Sequence, residues 1–219
     1  VPIFLIPIIA VLAALGVIGG LTVVIPRLAK KLAGKNVAIL GRQQVGKTAL
    51  LHVLKEQRVP TKGRRTVDPA QGGKFSMDLD GKSVGFHVPN DLPGNHALGY
   101  QDWKDAFTGA DYVWYLFRSD LIAQGDPTEF KLVRDHFNMF KGWMDANKSL
   151  RPKIILIGTF ADLDPRYRKA PGAFKQGVGS AGPIKVGAVK LYNARLVVGS
   201  LLRGKDAASL VKSLGRSLK

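Results

Sequence analysis

The sequence predicts an α/β fold: a three-layer sandwich around a mostly parallel six-stranded sheet with one antiparallel strand, preceded by an N-terminal transmembrane helix. Three observations predict it. Residues 1–26 carry no charged side chain. Beyond them, apolar runs of strand length alternate with amphipathic stretches, the pattern of a parallel sheet covered on both faces. One Asp80-Gly81 turn joins two adjacent strand-like runs and places a hairpin in that sheet.

The first element is "VPIFLIPIIAVLAALGVIGGLTVVIP". About 20 apolar residues cross a bilayer, and this run supplies them. Arg27, Lys30, Lys31 and Lys35 follow, so the positive-inside rule puts the remaining chain in the cytoplasm. A cleaved signal peptide fits poorly, since no basic residues precede the run and no small-x-small site follows it. The expected organisation is an anchor at 1–26, a basic juxtamembrane linker at 27–35 and one globular domain at 36–219.

Composition narrows the partners. The 33 Lys and Arg outnumber 16 Asp and Glu, a formal charge of +17, which attracts anionic lipid or an acidic protein. Nucleic acid is the weaker reading, because no zinc-finger spacing, aromatic RNA-binding signature or long basic tract is present. The absence of Cys excludes disulfides and thiolate metal sites.

The domain opens with a strand, "KNVAIL", a turn, "GRQQVGKT", and a helix, "ALLHVLKEQ". The turn matches G-x-x-x-x-G-K-[ST] at Gly41, Gly46, Lys47 and Thr48. Backbone N–H groups at a helix N-terminus cradle phosphates, here over Gln44, Val45, Gly46 and on to Ala49. Lys47 reaches the β- and γ-phosphates, and the Thr48 hydroxyl ligates Mg²⁺. A basic loop with Thr61 and Thr66 comes next, then the hairpin "KFSMDLDGKSVGFHV" and "NDLPG". The stretches "LGYQDWKDAFTGA" and "PTEFKLVRDHFNMFKGWMDANK" read as helices, and "DYVWYLFRSD", "KIILIG" and "ARLVVGSLL" as strands. The aromatics Phe130, Phe137, Phe140 and Trp143 recur at helical spacing and read as core. The closing helix, "KDAASLVKSLGRSL", sets Leu210, Val211, Leu214 and Leu218 on one face. The stretch 165–193 is basic and rich in Gly. It reads as a loop, solvated or facing lipid or a partner, in place of a helix.

This order of motifs resembles the Ras-like small GTPases of the P-loop GTPase superfamily. One span followed by such a domain is similar in plan to signal recognition particle receptor β subunits. The resemblance implies GTP or GDP with Mg²⁺ as ligands. Asp91 and Gly94 fall on its Asp-x-x-Gly motif, Asp91 toward Mg²⁺ and the Gly94 N–H toward the γ-phosphate. Thr66, or less well placed Thr61, would touch the metal. "GTFADLD" falls where the family reads the base with Asn-Lys-x-Asp. Asp162 keeps the guanine-reading carboxylate, Phe160 replaces the stacking Lys, and Thr159 replaces the Asn that tethers this loop to the phosphate loop. Ser200 and Leu201 partly match the loop that covers the base. The alternative for "GTFADLD" is a loop in which Asp162 and Asp164 cap a following turn.

For hydrolysis the family places Gln after Asp-x-x-Gly to orient water. Asn95 and His96 stand there, and Gln43 and Gln44 crowd the phosphate loop. Slow turnover is therefore expected, with Lys47, His96 and Asn95 as the catalytic candidates and a partner protein supplying a missing group. Loops 58–72 and 95–109 would be the switch regions. A pseudo-GTPase scaffold and a P-loop ATPase stand as alternatives.

Overall fold

The computed structural model describes residues 19–56, 73–89 and 96–218. The strands are β1 (Asn36–Leu40), β2 (Gly73–Leu79), β3 (Lys82–Val88), β4 (Tyr112–Arg118), β5 (Lys153–Thr159) and β6 (Arg195–Val198). They form one six-stranded sheet in the order β2-β3-β1-β4-β5-β6. Among the described residues, only the β2–β3 hairpin is antiparallel, in register from Gly73 opposite Val88 to Leu79 opposite Lys82. The other pairings are parallel. Central β4 from Tyr112 to Phe117 and β5 from Ile154 to Gly158 are apolar and buried, as strands between two helical layers must be.

The helices are α1 (Gly19–Leu32), α2 (Lys47–Glu56), α3 (His96–Thr108), α4 (Ser119–Gln124), α5 (Pro127–Ala146), α6 (Pro165–Lys169), α7 (Pro171–Ser180), α8 (Gly182–Lys190) and α9 (Gly204–Ser217). Helices α1, α2 and α9 cover one face of the sheet with a mainly aliphatic cluster. Helices α3 and α5 to α8 cover the other with an aromatic one.

Two stretches differ from the sequence reading. Residues 19–32 form one helix, so the expected boundary at residue 26 falls inside it, at Pro26. Leu21, Ile25, Leu28, Ala29 and Leu32 are buried at helical spacing, while Arg27, Lys30 and Lys31 face outward. Lys31 donates to the Gly215 carbonyl of α9. The expected linker 27–35 is thus a packed part of the domain. The apolar stripe that looked like the end of a span is the inner face of an amphipathic helix. Among the described residues, no helix is long and apolar enough to cross a membrane; residues 1–18 lie outside them.

The stretch 165–193 is not a loop but three short helices. Pro165, Pro171 and Pro183 each occupy the first turn of one, where proline's fixed φ and missing N–H cost nothing. Phe174, Val178 and Ile184 are buried beneath them. At Gly187, a Cβ would overlap the Phe137 ring, so glycine is what lets α8 lie directly on α5.

Candidate nucleotide site

Every loop of interest leaves the C-terminal end of a strand, where open α/β sheets hold ligands. The first runs from buried Leu40 into Gly41. Gly41 has φ +144, and a Cβ there would come within 2.5 Å of the Leu116 carbonyl oxygen of β4. Only glycine fits that turn. Gln44 (φ +60) and Gly46 (φ +94) complete the wrap, and Val45 is buried between them. Lys47 opens α2, whose first helical bond runs from Leu50 N–H to the Gly46 carbonyl. The N–H groups of Thr48 and Ala49, ahead of that bond, have no intrahelical acceptor. The Lys47 ammonium curls over the loop and donates to the carbonyls of Gly41 (2.5 Å) and Arg42 (3.0 Å). Gln43, Gln44 and Thr48 are exposed.

The second loop follows β5. Thr159 is fully buried, and its hydroxyl lies 2.8 Å from the Val45 carbonyl and 3.0 Å from that of Phe117. One proton serves both oxygens, so the bond is shared or goes to one of them. The shorter contact, to Val45, joins the second loop to the first. The Ser119 hydroxyl fastens the same residue by donating to the Thr159 carbonyl at 2.6 Å.

Phe160 adopts a left-handed conformation, φ +58. Its ring carries the Arg118 guanidinium 4.4 Å from the centroid. Asp162 sits in a short 3₁₀ turn, Ala161–Leu163, half-buried. Asp164 is the carboxylate that caps. It accepts the Arg166 N–H at 2.8 Å at the start of α6, and the Arg166 guanidinium beside it holds its pKa below the usual carboxylate range. The two acids of "GTFADLD" therefore divide: one caps a helix and the other does not.

A third loop follows β6. Gly199 N–H donates to the Gly158 carbonyl, and Ala161 N–H to the Gly199 carbonyl. Ser200 is buried, and its hydroxyl accepts the Leu202 N–H at 3.0 Å. Leu201, Thr159 and Phe160 all come within 4 Å of where a Gly46 Cβ would be. The phosphate loop, the "GTFADLD" loop and the Ser200 loop thus meet at one point.

The remaining predicted residues are not brought into this picture. Thr61, Thr66, Asp91, Gly94 and Asn95 lie outside the described residues. His96 opens α3, and of the expected switch 95–109, residues 96–108 are helical. Among the described residues, no cluster of three or more His, Asp or Glu could hold a metal. Of the expected Mg²⁺ ligands only Thr48 is described, exposed in the first turn of α2 as that role requires.

The sequence reading missed a charged network beneath the loops. Glu129 of α5, 3% exposed, accepts Arg42 Nε of the phosphate loop at 3.0 Å and the Arg118 N–H at 3.0 Å. The Arg118 side chain in turn grips both oxygens of buried Asp120. That contact, more than any other, raises the Arg118 pKa. Asp126 with Glu129 at the start of α5 was a visible capping signature, since the Asp126 side chain accepts the Glu129 N–H. Nothing in spacing reveals that Glu129 turns inward to Arg42.

No protein-family model matches this sequence, and no curated protein does. Solved structures do match. One is the ADP-ribosylation-factor-like GTP-binding protein, small COPII coat GTPase Sar1, of Encephalitozoon cuniculi in complex with GDP. It is 14% identical, with a TM-score of 0.57 over 98% of this chain and 93% of that one. The fold is that of a small GTPase. A variant of SsGBP matches at 11% identity and a TM-score of 0.50, over 84% of this chain and 56% of its own.

Proposed function

We propose that this chain is a membrane-anchored small GTPase, a GTP/GDP switch that binds nucleotide with Mg²⁺ and hydrolyses GTP slowly. The observation that carries the reading is the Thr159–Val45 tie. It draws the "GTFADLD" loop, which carries half-buried Asp162, against a loop whose turn at Gly41 admits only glycine. In this reading Lys47 leaves its carbonyls for the β- and γ-phosphates, and N–H groups from Gln44 to Ala49 surround them. Asp162 accepts the guanine N1–H and N2 amine, a donor pair that adenine lacks. Phe160 stacks on the base, and the backbone of Ser200 and Leu201 covers it. Thr48, Thr66 and Asp91 hold Mg²⁺, which when bound neutralises charge on the phosphates, and Gly94 senses the γ-phosphate. Asn95 or His96 positions the attacking water, and turnover is slow because neither has the reach of Gln.

The anchor would be residues 1–18, uncharged throughout, since residues 21–32 are committed to the domain. As a helix they extend about 27 Å, close to a bilayer core. The outward-facing Arg27, Lys30 and Lys31 then lie on the cytoplasmic side against anionic lipid. The overall +17 suits lipid or an acidic effector or activating protein better than nucleic acid.

Isothermal titration of the chain with GTP, GDP and ATP tests the function. GTP and GDP should bind, and ATP far more weakly. Equal ATP binding would support an ATPase, and no binding would support a scaffold. Asp162→Asn should weaken GTP on the order of a hundredfold, through lost charged hydrogen bonds, and favour xanthine nucleotides. Unchanged GTP affinity in that variant would remove Asp162 from the base site.

A further inference from the structure

Phe160 stands where the resembling family carries a positively charged stacking residue, and the structure returns a positive charge to that place from elsewhere in the chain. Arg118, the last residue of β4, lies against the Phe160 ring, its Cζ 4.4 Å from the centroid. It is not a wandering surface side chain. Its Nε donates to Asp120 Oδ1 at 2.8 Å, and a terminal nitrogen holds Oδ2, a two-pronged grip on a carboxylate 3% exposed. Its backbone N–H is bound by Glu129, which also holds Arg42 of the phosphate loop. The guanidinium therefore has a fixed plane, and one face of the Phe160 ring is covered by it.

The edge of the same ring reaches the phosphate loop, with Cε2 3.9 Å from where a Gly46 Cβ would be. Phe160, two residues before Asp162, is thus held between a cation and the phosphate loop, and a stacked base would take the face opposite Arg118. A cation on one face of a ring draws its π-electrons toward that side. The opposite face becomes a better partner for an electron-rich purine.

We propose that Arg118 is a positioning residue for the base: it holds and polarises the Phe160 ring, on whose other face the purine of the nucleotide stacks. The proposal rests on the nucleotide reading of the same site.

The test is titration of the 219-residue chain in detergent with GDP, comparing wild type, Arg118→Ala, Arg118→Lys, Phe160→Leu and the double variant Arg118→Ala/Phe160→Leu. Arg118→Ala should weaken GDP about fivefold, and Phe160→Leu about tenfold. Arg118→Lys should recover part of the loss. In the Phe160→Leu background, Arg118→Ala should add less than about a twofold effect, because its partner is gone. A merely structural role would show instead as additive losses in the double variant. Arg118→Met, which keeps the stem, replaces Arg118→Ala if the latter lowers the thermal midpoint of the nucleotide-free protein. Unchanged or tighter binding in Arg118→Ala overturns the proposal, tighter binding meaning that the guanidinium occupies the purine's place. Failure of the wild type to bind any purine nucleotide removes the functional reading and this proposal together.

Discussion

Trp114 and Tyr115 are neighbours on β4, yet they point to opposite faces of the sheet and end in opposite circumstances. Trp114 enters the mainly aliphatic layer, edge-on to Phe86, and its indole N–H has no acceptor among the described residues. Tyr115 enters the aromatic layer, and its hydroxyl meets His136 Nδ1 at 2.8 Å. Around Trp114 the first face is held by shape and apolar area. The second contains a directional polar pair packed among Trp103, Phe137 and Phe140. His136 lies seven residues, two helical turns, beyond Glu129 on α5, so the buried pair and the network under the candidate site share one inner helix face. The aromatic face reaches the site through charge, whereas the aliphatic face reaches it through Val45 and Leu201.

The largest expected effect lies on the aliphatic face. Leu28 is fully buried between α1 and the rest of that layer. Leu28→Ala should cost about 3 kcal/mol, from lost transfer energy plus the cavity left behind. Urea unfolding of the chain in detergent reads this directly. A cost below about 1 kcal/mol would mean that α1 is not a closing element of the domain. No pH dependence should accompany the loss.

The aromatic face should instead respond to acid. Burial pushes the His136 pKa down from 6.5 to about 4, so the folded state holds a neutral ring paired with the Tyr115 hydroxyl. A depressed folded pKa leaves stability intact above the unfolded value of 6.5. It is lost as pH falls toward 4, where the unfolded chain binds the proton first. The full shift corresponds to about 3 kcal/mol, of which about 2 kcal/mol should be lost between pH 7 and pH 4.5, less than the Leu28 cavity costs. Unfolding measured at pH 7 and pH 4.5 should show the drop in wild type and most of it gone in His136→Gln. The shifted carboxylates Asp111, Asp135 and Asp164 have pKa values lowered below 3.8, so their stability is lost below this window.

The same contrast explains what could be read without coordinates. Period-two and period-3.6 patterns report which side of a strand or helix is apolar. The hairpin at Asp80-Gly81, the strands around Trp114 and Ile155, and the loops that follow them were legible for that reason. So was the closeness of Thr159 to the phosphate loop, expected from the role of the residue it replaces and found as a hydrogen bond to Val45. Periodicity is blind to pairings between distant charged residues. Arg42 with Glu129, Arg118 with Asp120 and Phe160, and Tyr115 with His136 were illegible, although all lie on or beside the candidate site's supports. The helix 19–32 was misjudged because its inner stripe merges with the uncharged run before it, so only Arg27, Lys30 and Lys31 betray its outer face. In 165–193, frequent glycine argued for a loop, whereas three prolines at first-turn positions start three helices.

The smallest expected effects come from the two residues that frame the comparison. Tyr115→Phe removes a buried hydroxyl and leaves His136 Nδ1 without its hydrogen-bond partner, 6% exposed among aromatic rings. A polar atom stranded in that way should cost about 2 kcal/mol. Trp114→Phe removes an indole N–H that already lacks a partner among the described residues. The gain from deleting it offsets part of the cavity left by the smaller ring, so the net change should stay within about 1 kcal/mol. The two substitutions each put Phe one residue apart on the same strand, and they differ in which face they touch. Chemical denaturation at pH 7 ranks them. Equal costs would mean that the Tyr115–His136 pair contributes nothing beyond packing, and the distinction between a shape-held face and a hydrogen-bonded one would fail. A Tyr115→Phe variant whose loss of stability from pH 7 to pH 4.5 differs from that of wild type would locate part of the acid sensitivity in this pair.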